Sequence, residues 1–225
     1  MAHDLEKEAA ARASLKFVQD GMVVGLGTGS TAAFMVRMLA ERVQAGLQIR
    51  CIPTSDATCD LASELGIPLT TFEFEQLIDV TIDGADEFDP QLNLIKGGGG
   101  ALLHEKIVAS ASRQLVIVAD ESKQVKVLGK FPLPVEVVKF AHPLIAARIA
   151  KLGATPVLRR DAAGKPFVTD EGNYILDCKF GAIEDPPALA RKLEAMPGVV
   201  EHGLFIGMAS VVLLARGNGV EEVRR

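Results

Sequence analysis

Residues 22–26, Met-Val-Val-Gly-Leu, run without interruption into Gly27-Thr28-Gly29-Ser30-Thr31, and residues 32–43 then carry apolar side chains at helical spacing. A short apolar strand passing through glycines into a helix is half of a βαβ unit. The same alternation continues with a strand at 47–52, a helix at 55–65, strands at 68–72 and 77–82, a helix at 101–112 and a strand at 114–119, after an opening helix at 4–19. Alternation of this kind predicts a parallel sheet covered on both faces.

The rhythm changes at Gly129-Lys130-Phe131-Pro132-Leu133-Pro134, where prolines argue against a central strand and mark a domain junction. Beyond it the pattern reads strand 135–140, helix 143–152, strand 155–160, strands 167–170 and 174–179 about a Glu171-Gly172-Asn173 turn, helix 186–196 and strand 199–204. Apart from the extra short strand, this is the βαββαβ order of a ferredoxin-like unit. Residues 209–215 are continuously apolar, as a strand buried on both faces is, and so return to the first sheet. The expected fold is therefore α/β: a Rossmann-like parallel-sheet domain, 1–130 plus 205–225, with an inserted, smaller α+β ferredoxin-like domain at 131–204.

Composition narrows the function classes. The net charge of −5 and the scattered basic residues argue against nucleic acid or an anionic membrane as partner. One Tyr and no Trp leave no platform for stacking bases. There is no apolar run long enough to span a bilayer, and residues 1–13 lack the apolar core of a secretory signal, so a cytoplasmic address is expected. Cys51, Cys59 and Cys178 have no CxxC spacing and cannot all pair within one chain, which fits a reducing compartment.

The loop Gly25-Leu26-Gly27-Thr28-Gly29-Ser30-Thr31 puts backbone donors and hydroxyls at a helix N-terminus, a seat for a phosphate or carboxylate, or merely a capped turn. It is not a dinucleotide fingerprint, because Ser30 stands where the third glycine belongs, and the GxxxxGK[ST] pattern is absent. Thr54-Ser55-Asp56 after the next strand is a second hydroxyl cluster or a helix cap. Asp83-Gly84-Ala85-Asp86-Glu87 lies at the expected C-terminal tip of a strand, where open α/β sheets bind ligands. With Asp89 these acids are open to a divalent-cation reading or to that of a solvated turn. The spacing is not that of an EF-hand, however, and Lys96 opposes a cation.

Lys96-Gly97-Gly98-Gly99-Gly100 then opens into a helix, exposing bare N–H groups beside an ammonium. Glu105 sits one turn into that helix on a face shared with Ala101, Val108, Ala109 and Ser112. It is either a partly desolvated general base or a solvated partner of a nearby lysine. His104-Glu105 is no zinc motif, since Val108 occupies the second histidine position. Lys123 is a strand-end phosphate ligand or a surface cation. An anion seat, a carboxylate and a lysine beside two aspartates, with no cofactor fingerprint, suit proton transfer next to a carbonyl on a phosphorylated substrate.

Thr28-Gly29-Ser30-Thr31, Asp83-Gly84-Ala85-Asp86, Lys96-Gly97-Gly98-Gly99, Glu105, Lys123 in its Ser-Lys-Gln context and residues 129–136, Gly-Lys-Phe-Pro-Leu-Pro-Val-Glu, together resemble ribose-5-phosphate isomerases of the A type over nearly the whole chain. The resemblance implies interconversion of D-ribose 5-phosphate and D-ribulose 5-phosphate through an enediolate, without metal or organic cofactor, in the non-oxidative pentose phosphate pathway. It implies Glu105 as the base, Asp83 in ring opening, Asp86 on the sugar hydroxyls, and Lys96 with glycine N–H groups on the oxyanion. Thr28 to Thr31 and Lys123 would hold the phosphate, with Lys7 reaching in from the first helix. A homodimer or homotetramer is implied as well. One departure is His104, where such proteins often have Arg; against Glu105 it would add a pH-dependent limb, and turned away it would be neutral. An acyl-CoA transferase with a nucleophilic carboxylate and a silent sugar-phosphate sensor are the competing readings.

Overall fold

The computed structural model describes residues 2–217 and 219–224. Its main sheet has the order β13-β12-β6-β3-β1-β2. These strands are β1 (Val23–Leu26), β2 (Arg50–Pro53), β3 (Val80–Gly84), β6 (Leu115–Asp120), β12 (Val211–Arg216) and β13 (Gly219–Arg224). Every adjacent pair is parallel except β12–β13. Helices α1 (Ala2–Ser14), α2 (Ser30–Gln44), α3 (Asp56–Glu64) and α4 (Leu102–Ser110) alternate with the strands.

Burial on both faces explains the continuous apolar runs. In β6, Val116 and Val118 join Val24, Leu26, Met35 and Leu39 in one core, whereas Leu115, Ile117 and Ala119 join Phe88, Ala109 and Leu214 in another. Alternate residues thus leave water on opposite faces, each large aliphatic side chain contributing about 1.5–3 kcal/mol.

The second sheet is antiparallel, with the order β10-β7-β9-β8. Its elements run β7 (Leu133–Val137), α5 (His142–Ala150), β8 (Thr155–Leu158), β9 (Tyr174–Lys179), α6 (Pro186–Glu194) and β10 (Val199–His202), a ferredoxin-like βαββαβ plan. A three-stranded sheet joins β4 (Glu87–Phe88) and β5 (Leu94–Ile95), which follow β3, to β11 (Leu204–Phe205), which follows β10. The chain is therefore α/β, with the parallel sheet interrupted by an α+β insertion before β12 returns beside β6.

Several local expectations need correction. Pro134 lies inside β7, an internal strand, but it faces Gly203 just past the end of β10, and its carbonyl accepts from Gly203 N at 2.8 Å. The bond that its missing N–H would make to Gly203 O is replaced by Lys96 N, which donates to that carbonyl at 2.9 Å. Residues 68–72 form only a bridge from Leu69 to Cys51. Residues 167–170 form no strand either: the Thr169 hydroxyl (2.9 Å) and the Asn173 amide (3.0 Å) donate to Glu136 Oε1, which pulls this segment into a turn. The edge strand β13 escaped sequence reading because Glu221, Glu222 and Arg224 make it look like a polar tail.

Candidate active site

The chain leaves β1 toward β2 on one side and later places β3 on the other, so the strand order reverses between β1 and β3. That reversal opens a crevice at their carboxyl ends. Gly27 follows β1 and donates to Ile82 O at 2.9 Å; a Cβ there would overlap the Asp83 side chain. Glycine thus lets two strand ends close around one carboxylate. Asp83 Oδ1 accepts from Thr28 N at 3.1 Å and from Gly84 N at 2.7 Å.

Lys96 extends from the end of β5 into this crevice and is only 2 % exposed. Its Nζ lies 2.9 Å from Asp83 Oδ2 and 3.0 Å from Glu105 Oε1, and it donates to Gly84 O at 2.7 Å. Asp83 Oδ2 meets only that ammonium, and Glu105 Oε2 is a buried oxygen with no hydrogen-bond partner among the described residues. A buried carboxylate oxygen left without a hydrogen bond is costly in a resting protein.

Glu105 comes from the first turn of α4, 5 % exposed. Burial pushes its pKa up to about 7, and Asp83 adds to the rise while Lys96 opposes it. Burial works against the Lys96 ammonium too, but Asp83 and Glu105 outweigh it and hold that pKa above the usual lysine value. A triad with one positive and two negative side chains is thereby poised around the protonation of a single carboxylate.

The cleft in front of Glu105 and Lys96 holds roughly 120 Å³ and is partly open to solvent. One wall is the β1–α2 loop with Thr28, Gly29, Ser30 and Thr31; another is Gly84, Ala85 and Asp86; the floor is Gly97, Gly98 and Gly99. Asp83 stands behind the lining, against Lys96. Gly29, at φ +107, caps α2 without a side-chain bond, which leaves the first helical N–H groups facing the cleft. Lys7 joins them from α1, donating to Ser30 Oγ at 3.1 Å, and Lys123 enters at the end of β6. Two ammonium groups and a helix start converge at one end, and the buried triad sits at the other.

Thr28 serves differently from a bare phosphate ligand. Its hydroxyl meets Thr54 and Ser55 at 2.8 Å and Thr58 at 3.2 Å, and Ser55 also caps α3 by accepting from Thr58 N. The second hydroxyl cluster therefore buttresses the first loop.

The acids of the 83–89 segment have separate tasks. Asp86 Oδ2 accepts from Gly98 N at 2.7 Å, and burial raises its pKa despite that bond. Glu87 accepts from Gly129 N and Phe131 N, and Asp89 closes its own turn by accepting from Gln91 N and Asn93 N. Among the described residues no cluster of three or more His, Cys, Asp or Glu is placed to hold a metal ion. His104 turns to Glu171, with Nε2 2.8 Å from Oε1, and Lys106 turns to Glu201 and the His202 carbonyl, so neither neighbour of Glu105 in sequence bonds to it.

Arg159 is the residue the sequence reading missed. It follows β8, pairs with Asp177 of β9, and donates from Nη1 to the carbonyls of Gly97 (2.9 Å) and Gly98 (3.2 Å). An arginine at the end of an edge strand carries no local signal of such reach.

The family described as Ribose 5-phosphate isomerase A (phosphoriboisomerase A) matches residues 50–219. The chain is 54% identical to Ribose-5-phosphate isomerase A of Roseiflexus sp. (strain RS-1) over 99% of its own length and 97% of the relative's. It is 52% identical to the protein of that name from Bradyrhizobium diazoefficiens, with 98% and 95% covered. Among solved structures, a D-ribose-5-phosphate isomerase in complex with phospho-erythronic acid superposes with a TM-score of 0.97 at 40% identity over 100% of both chains. The ribose 5-phosphate isomerase A of Methanocaldococcus jannaschii does so with 0.94 at 40% identity over 98% of both. With fold, cleft and likeness in agreement, this chain belongs to the ribose 5-phosphate isomerase A family.

Proposed function

We propose that Glu105 is the base of an aldose–ketose isomerisation, carrying a proton between C2 and C1 as D-ribose 5-phosphate and D-ribulose 5-phosphate interconvert in the pentose phosphate pathway. The observation that carries this reading is the unpartnered, buried Glu105 Oε2 on a carboxylate whose pKa is pushed up to about 7. Such a group titrates near neutral pH, and proton transfer by a positioned base contributes about 10² to 10⁴ in rate. As C2 gives up its proton, negative charge spreads over the enediolate oxygens. The Lys96 ammonium and the floor N–H not taken by Asp86 are the donors that meet it, at about 10² to 10³ per donor.

Asp83, with one oxygen meeting only Lys96, handles the hydroxyl proton during ring opening. Asp86, fixed by Gly98 N, orients the sugar hydroxyls. The phosphate sits over the start of α2 between Lys7 and Lys123, and its binding energy orients the reacting carbons. All three cysteines are free thiols, which supports work in the reducing cytoplasm. Exposed Val138, Phe140 and Leu144 around the start of α5 supply apolar surface for a homodimer or homotetramer. Glu105→Gln tests the assignment: turnover should vanish while sugar-phosphate affinity stays within a few-fold, and substantial residual turnover would remove Glu105 from the role of base.

A further inference from the structure

We infer that Arg159, contributed by the small antiparallel sheet, is a positioning residue that sets the oxyanion donors of the glycine floor. This rests on the isomerase reading above and extends it to a side chain outside the cleft lining. A trans peptide points its C=O and the following N–H in opposite directions. Arg159 Nη1 holds Gly97 O at 2.9 Å and Gly98 O at 3.2 Å from behind the floor. The N–H groups of Gly98 and Gly99 are thereby turned toward the cleft. The first donates to Asp86 Oδ2 at 2.7 Å, and the second has no acceptor among the described residues. The Gly99 N–H is the donor left over for the oxygen that becomes negative.

The guanidinium is itself immobilised. Nε donates to Asp177 Oδ2 at 3.0 Å and Nη2 to Asp177 Oδ1 at 2.5 Å, a two-pronged pair that fixes the plane of the fork. Phe167 stands 5.9 Å from it, and a Cβ on Gly100 would overlap the Phe167 ring. Four successive glycines have more backbone freedom to lose than any other run of that length, and side chains that could pack them in place are absent. Gly100 N closes a turn on Gly97 O at 3.0 Å, and a planar donor reaching that carbonyl and the next adds a constraint that a lysine's single point of charge does not reproduce.

The test uses Arg159→Ala, Arg159→Lys and Asp177→Asn in the full-length protein. The readouts are kcat and KM for ribose 5-phosphate and the affinity for phospho-erythronic acid, whose carboxylate places negative charge near the reacting end. Arg159→Ala is expected to lower kcat about tenfold to a hundredfold, less than removing a donor outright. KM should stay within a few-fold, affinity for phospho-erythronic acid should fall in step with kcat, and dilute guanidinium chloride should restore part of the lost kcat. Should Arg159→Ala not fold, Arg159→Lys carries the test, with a kcat loss at unchanged KM as the supporting result. Unchanged kcat and analogue affinity, or a kcat loss that only follows the folded fraction, would overturn the inference. Wild-type turnover together with an inactive Glu105→Gln would leave the isomerase reading standing in that case, whereas a wild-type protein without turnover would sink that reading instead.

Discussion

The Nζ of Lys96 stands 3.0 Å from Glu105 Oε1 in a setting where neither side chain is more than about one-twentieth exposed. With Asp83 the group carries one surplus negative charge when all three are ionised. Burial of that charge is what keeps Glu105 protonatable near neutral pH. A raised folded-state pKa on a carboxylate stabilises the fold below its unfolded pKa, and that contribution is lost as pH rises toward about 7. Glu105→Gln, which leaves a neutral Asp83–Lys96 pair, is therefore expected to raise Tm at pH 8 and to leave it nearly unchanged at pH 5. Thermal melts at the two pH values check this, and a lower Tm at pH 8 would contradict it.

Asp83 raises the Glu105 pKa through its charge, after burial and against Lys96. In Asp83→Asn the acid limb of kcat/KM should move to lower pH, even as the maximal rate falls with the loss of ring-opening help. The phosphate of the substrate titrates identically for both enzymes, so the difference between their profiles isolates Glu105. A limb that stays in place would mean that another group controls it.

Lys96→Met leaves Asp83 and Glu105 facing each other without a cation. Removing one partner of a buried ion pair costs about 3–5 kcal/mol, and here the penalty should grow with pH as Glu105 ionises. Urea denaturation at pH 5 and pH 8 measures it. A penalty independent of pH would show that the carboxylates rely on something other than Lys96.

Lys123→Ala should raise KM about tenfold to a hundredfold, the worth of one charge-assisted hydrogen bond, with kcat within a few-fold. Lys7→Ala should behave alike, because both ammonium groups line the α2 end of the cleft. Steady-state kinetics decide the point, and an unchanged KM would take either lysine out of the phosphate seat.

Much of this architecture is readable from the chain because both sheets obey simple periodicities. The run at 209–215 announces a strand covered on both faces, and Asp83 falls at a strand end because residues 77–82 alternate toward it. Two-residue strands such as Glu87–Phe88, Leu94–Ile95 and Leu204–Phe205 leave no period to detect, so the sheet that delivers Lys96 was invisible. At the site, Glu105 was legible as a candidate, but its burial depends on Lys96 and Asp83 arriving from β5 and β3. Lys106 and His104 could not be assigned a direction until Glu201, His202 and Glu171 were in place. Arg159 was hidden for the same reason: its carbonyl partners lie some sixty residues earlier, and only the tertiary fold joins them.

Incubating the purified protein with ribose 5-phosphate in D₂O, and following the sugar carbons by NMR, reports directly whether one carboxylate shuttles the proton. Wild type should form ribulose 5-phosphate with solvent deuterium entering at C1, while Glu105→Gln shows neither ketose nor exchange. Ketose formation or deuterium entry at wild-type rates in Glu105→Gln would contradict the assignment of the base.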